Sequence, residues 1–93
     1  MYDKINGGSI LLSSRMPKQA GCRVCDLILV DMGDQYVVAR LYHKEDGTGR
    51  DSEWAHGSYF NDTCPWGEIN KVKALSAALD LFARNAGEGV QSE

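Results

Sequence analysis

The stretch Asp34–Phe60, DQYVVARLYHKEDGTGRDSEWAHGSYF, holds the densest strand pattern in the chain and most of its aromatic residues. From Gln35 to His43 the side chains alternate with the two-residue period of an extended strand. Tyr36, Val38, Arg40 and Tyr42 fall on one face, and Val37, Ala39, Leu41 and His43 on the other. The second set is the more apolar and is expected to be the core face. A polar loop, KEDGTGRDS, then ends the strand, and Glu53–Phe60, EWAHGSYF, alternates again as a further strand.

Upstream, Leu27-Ile28-Leu29-Val30 lies within the segment Cys22–Met32. It is too short for a helix and rich in branched residues, so it reads as a buried strand. Gly33-Asp34 joins it to the next strand as a tight hairpin turn, because glycine adopts positive φ without a Cβ clash. Three sequential strands with short connections most simply form an antiparallel meander. Downstream, Ile69, Val72, Leu75, Leu79, Phe82 and Ala86 recur at helical spacing, which predicts an amphipathic helix over 68–86 with that stripe on the sheet. Asp62 or Thr63 is placed to cap the helix start, with Pro65 in its first turn, and Gly87 to end it. Ala74, Ala77, Ala78 and Leu81 fall on or near the opposite side. They suggest a second contact face, although alanine is also the best helix former and one exposed leucine is ordinary.

The expected fold is therefore α+β, a three-stranded antiparallel β-β-β-α unit over 22–87 with one helix packed on one sheet face. Residues 1–21, with Gly7-Gly8, Pro17 and Gly21, show no sustained period and read as a loose arm, whose SILL patch could add an edge strand. Residues 88–93 read as a frayed tail. A chain of 93 residues supports one domain with one small core. Neither a membrane-spanning apolar run nor a signal-peptide pattern is present, and three cysteines suit a reducing compartment, so the expectation is a cytoplasmic protein. Residues 1–25 carry Lys4, Arg15, Lys18 and Arg23 against Asp3, a net +3, which leaves −6 on the remainder of a chain whose total is −3. A bulk nucleic-acid binder is disfavoured by that balance, and an acidic body meeting a basic protein surface is favoured.

Cys22-x-x-Cys25 is half of a zinc motif, since two thiolates at that spacing can share a tetrahedral ion in a tight turn. The remaining ligands would come from His43, His56 and Cys64, none of which forms a second close pair. Two small, packed cysteines explain the same residues without metal. Cys64 before Pro65, at a helix start, is the best nucleophile candidate, with His56 as its base. No third group is tied to that pair by spacing, and a cysteine that merely packs accounts for it. The acidic residues of the central loop read as a solvated hairpin tip. No enzyme signature stands out.

The aromatic residues carry the functional expectation. Tyr36, Tyr42, Trp54 and Phe60 share the strand faces opposite the expected core, flanked by Arg40, Asp51 and Glu53, with Trp66 on the link to the helix. Tyr, Trp and Arg are the residues that most often anchor protein interfaces. Tyr36, Arg40, Tyr42, Asp51, Glu53, Trp54 and Trp66 are accordingly the candidate partner-binding set. Cys22, Cys25, His56 and Cys64 are the candidate zinc set of an alternative nucleic-acid-binding module that would also use the basic arm. Self-association through the sheet edge or the outer helix face is a further expectation.

From Tyr36 to Arg84 the order YVVARLYHKEDG, EWAHGSYF and KALSAALDLFARNAG resembles small hairpin-plus-helix accessory proteins of phages and plasmids. These often carry a tryptophan-containing strand ending in Gly-x-Tyr-Phe, here Gly57-Ser58-Tyr59-Phe60, before an alanine-rich helix. The resemblance covers about half the chain and leaves out the CRVC segment and the basic arm. It implies a host- or defence-interacting protein, anti-CRISPR inhibitors among them, that acts by occlusion and not by catalysis.

Overall fold

The computed structural model describes residues 3–17, 20–61 and 67–90, with side chains as far as residue 86. Five antiparallel strands and one helix follow in order: β1 (Lys4–Ile5), β2 (Gly8–Arg15), β3 (Cys25–Asp31), β4 (Tyr36–Tyr42), β5 (Ala55–Phe60) and α1 (Glu68–Val90). Spatial order equals chain order, so the sheet is a simple meander that curls into a half-barrel.

Five strands replace the three expected, because the residues read as a loose arm supply β1 and β2. Asn6 and Gly7 both have positive φ, 50° and 83°. That geometry suits the two-residue hairpin turn whose twist matches paired strands. β2 then runs antiparallel to β3, with Ile10 opposite Val30 and Leu12 opposite Leu29. Two steps on β2 therefore meet one on β3, which makes Leu11 the extra residue of a β-bulge. The Gly33 turn forms as its chemistry demands, with the Met32 N–H donating to the Gln35 carbonyl at 2.9 Å and Gly33 at φ 90°.

β3 is buried on both sides from Cys25 to Val30. On one face Ile28, Val30, Val37, Ala39 and Leu41 pack with Ile5 and Ile10 inside the curl, with Met32 and Trp54 at its margin. On the other, Leu27, Leu29, Tyr36 and Val38 pack under Ala74 and Ala78 of the helix, with Leu11, Phe60, Leu81 and Phe82 around them. Two expectations about faces are corrected here. The helix covers the Tyr36/Val38 face, and the Val37/Ala39/Leu41 face is filled by the curled sheet itself. Within α1, Ala74 and Ala78 are buried, and Leu75, Phe82 and Ala86 of the stripe expected to dock pack beside them, whereas Ile69, Val72 and Leu79 of that stripe are exposed by 73%, 63% and 40%. Large side chains already fill the sheet side, so small helix residues allow the close approach that dense packing requires. The helix also runs past Gly87 to Val90, so its end lies beyond the glycine expected to stop it.

Candidate functional site

β5 is an edge strand, and its pairing with β4 is irregular. Val38 faces Ser58 and Arg40 faces Ala55, so three steps on β5 meet two on β4, a bulge at His56-Gly57. His56 adopts φ 55°, the left-handed region that costs a side-chain-bearing residue about 1–2 kcal/mol. Bulges and backbone strain of this kind concentrate at functional sites. The bulge aims His56 at Tyr42, with ring centroids 6.4 Å apart in an edge-to-face arrangement. Tyr59, 54% exposed, accepts a hydrogen bond from the Trp54 Nε1–H at 3.1 Å. This pair closes over Gly57, where an added Cβ would lie 2.9 Å from Tyr59 Oη and 3.1 Å from Trp54 Nε1. Gly57→Ala is therefore expected to separate the two rings and cost about 1 kcal/mol, since the nearest atoms are side-chain atoms and the rings can turn aside without moving the backbone. A shift in tryptophan emission with a small drop in melting temperature would check it.

Around the same end of the sheet runs a polar network. Arg23 grips Asp51 with two nitrogens, at 2.9 and 3.3 Å, donates to the His43 carbonyl at 3.3 Å, and lies over the Tyr42 ring at 5.4 Å. Asp26, a buried acid, stands on the inner face of the curl. Its Oδ1 accepts from Arg15 Nε at 2.7 Å, while Oδ2 meets His43 Nε2 at 3.0 Å and an Arg50 nitrogen at 3.5 Å. Burial pushes the Asp26 carboxyl up, but the Arg15 and His43 hydrogen bonds outweigh it and hold the group below the usual aspartate value. Beside this network lies an open cleft of about 560 Å³ lined by Arg15, Gly21, Cys22, Arg23, Val24, His43, Lys44 and Glu45. Its arginines are already engaged by Asp26 and Asp51, which leaves the cleft close to electrically balanced.

The candidate partner-binding residues divide between surface and core. Tyr42 and Asp51 are joined through Arg23, Glu53 is exposed beside them, and Arg40 is half-buried. Trp54 is half-buried against the inner core and reaches the surface through its bond to Tyr59. Tyr36 is corrected outright. It is buried beneath the helix, where desolvation pushes its hydroxyl up, and Phe60 packs on the same side. The four aromatics thus do not share one exposed face, because the curl and the bulge break the flat alternation that was assumed. Trp66 lies outside the described residues. Arg23, His56 and Tyr59 join the site although they were not in the expected partner-binding set. The signal for Tyr59 was its place two residues beyond a strand glycine, Gly57, where glycine marks a bulge or a close approach.

Of the candidate zinc set, Cys22 is exposed at the cleft, Cys25 is buried at the start of β3, and His56 sits at the β5 bulge. Cys64 lies outside the described residues. Burial pushes the Cys25 thiol up, against the thiolate a metal or a nucleophile would need, although Arg40 opposes that shift. Among the described residues no three His, Cys, Asp or Glu side chains gather as a cation would require. Also among them, no helix is long and apolar enough to cross a membrane. Compared with family models, curated proteins and solved structures, the chain shows no match.

Proposed function

We propose that this protein is a binding module, not an enzyme, that engages a protein partner through β5 and the loop leading into it and acts by covering the partner's surface. The observation that carries this reading is the exposed Tyr59, bonded to Trp54 over Gly57, on an edge strand whose bulge holds His56 in a strained backbone. Rigid aromatic side chains at a partly dehydrated rim are the usual anchors of protein interfaces. The bulge also limits indiscriminate pairing along the open edge, so recognition falls to side chains. Asp51 and Glu53 border the rim, and the −6 carried by residues 26–93 favours a partner with a basic surface. The likeness to phage and plasmid accessory proteins supports occlusion as the mode of action.

The test is capture of a partner from nuclease-treated bacterial lysate by the tagged protein, compared with the double variant Tyr59→Ser, Glu53→Lys. Both positions are exposed, so the fold should persist. Wild type is expected to retain a stoichiometric protein, and the variant to lose it by tenfold or more, about 1.4 kcal/mol or greater. Equal capture by both would remove the surface assignment. Capture that depends on nucleic acid would remove the protein-binding reading itself.

A further inference from the structure

We propose that the outer face of α1 pairs with the same face of a second copy of this chain, the two helices running antiparallel. On that face Ile69, Val72, Ser76, Leu79 and Ala83 follow one another at spacings of 3, 4, 3 and 4, the a/d repeat of a two-helix seam. All five are exposed, Ile69 and Val72 by 73% and 63%. The stripe is turned away from the sheet, Leu79 least so at 40% exposed. Ala83 lies nine residues, or about 180° of helical rotation, from the buried Ala74. Neither the sheet nor any other described element therefore covers it. Solvated helix faces are ordinarily polar, and an apolar stripe this regular matches a partner helix better than water.

Charge selects the occupant and its direction. In an antiparallel pair with Ile69 opposite Leu79 and Val72 opposite Ser76, Lys73 of each chain stands beside Asp80 of the other. Larger residues then meet smaller ones at the Val72–Ser76 layers, and the two ion pairs are related by one twofold axis, a closed and self-complementary interface. Asp80 is 71% exposed and meets only the similarly exposed Arg84, at 3.4 Å, among described residues. A second cation can join it. The helix dipoles also oppose one another in this arrangement, which favours it. The seam is short, so association should be modest, on the order of 10 µM. Pairing leaves the β5 rims of both chains free. A dimer would then present two partner-binding surfaces and gain avidity from bivalence.

Sedimentation velocity over a concentration series tests the pairing independently of any β5 partner. The full chain should pass from monomer to dimer, and Val72→Asp should raise the dissociation constant by about a hundredfold with an unchanged circular-dichroism spectrum. Lys73→Glu alone should weaken the dimer about tenfold, and adding Asp80→Lys should restore it. A parallel pair cannot be rescued in this way, because Lys73 would then face Glu68. Wild type that stays monomeric to millimolar concentration overturns the proposal, as does a double reversal that fails to restore the dimer.

Discussion

Gly8→Ala should lower stability by about 2–3 kcal/mol, with a fall in melting temperature of about 10–20 °C. Gly8 opens β2 directly after the Asn6-Gly7 turn and lies opposite Ile5, where the outer hairpin folds onto β3. A Cβ built there would press on Met32 Sδ, stand 2.8 Å from Val30 Cγ1 and 2.9 Å from the Asp31 carbonyl oxygen. The methionine end can swing aside. The carbonyl cannot, because Asp31 is held in register with Ser9 and with Tyr36 on either side of β3. Relief therefore requires β2 to lift from β3, which would expose Ile5 and Ile10 of the inner core. Gly7 provides the internal control. Its φ of 83° strains any side chain, but nothing lies within 4 Å of an added Cβ, so Gly7→Ala should cost only about 1 kcal/mol. Urea unfolding of both variants discriminates the two causes. If Gly8→Ala is no worse than Gly7→Ala, the close approach of β2 to β3 is wrong.

That outer hairpin is also where the fold was hardest to read. The β3–β4 hairpin was legible, because Leu27–Val30 and the alternation of Gln35–His43 flank a glycine turn, and α1 was legible from its period. β1 was not, and β2 only as the SILL patch that could add an edge strand, although Asn6-Gly7 is a strong hairpin signal in its own right. The bulge at Leu11 shifts the phase of SILLSS between Ile10 and Leu12, so no two-residue alternation survives across it. The helix was placed correctly along the chain but rotated by about a quarter of a turn, so that Leu75, Phe82 and Ala86 of the expected stripe still dock while Ile69, Val72 and Leu79 do not. Its two apolar stripes compete, and helical spacing pointed to Ile69, Val72, Leu75, Leu79, Phe82 and Ala86. Docking followed space instead, since Leu27, Leu29, Tyr36 and Val38 fill the sheet side and leave room at its centre for Ala74 and Ala78, with Leu75, Leu81, Phe82 and Ala86 at the flanks. No periodicity encodes that choice, because it depends on the bulk of residues elsewhere in the chain.

The candidate site was half legible for a related reason. Tyr42, Asp51, Glu53 and Trp54 were singled out as aromatic and charged residues on strands and loops, and all four lie at the loop end of β4 and β5. The contacts that order them come from distant segments: Arg23 reaches Asp51 across 28 residues, and Arg50 reaches Asp3 across 47. Asp26 gave no sign of its environment. Nothing in the sequence marks an aspartate ahead of an apolar run as buried, whereas the sheet buries it and brings it Arg15 from β2, His43 from just after β4 and Arg50 from the loop beyond.

Asp26→Asn should remove about 2–3 kcal/mol at pH 7, the scale for leaving charged hydrogen-bonding groups without their counter-charge at a largely dehydrated position. The exposure of Arg15, whose side chain is 63% accessible, keeps the cost below that of a fully buried ion pair. The carboxylate nonetheless has a side-chain accessibility of only 9%, and Arg15, His43 and Arg50 all converge on it. An amide in its place keeps the shape, offers one oxygen, and turns an N–H pair toward cations. The sign with pH follows from the depressed carboxyl. Because the folded state holds Asp26 below its ordinary value, its contribution is complete above the unfolded-state value of about 4 and declines as pH falls through the lower folded-state value. Wild type and Asp26→Asn should thus differ most in neutral urea titrations and converge in acid, as the wild-type carboxyl takes up its proton. A stability gap that stays constant from pH 7 to pH 2 would show that Asp26 acts through shape and not charge, and would separate it from the Arg15–His43–Arg50 network that shapes this end of the sheet.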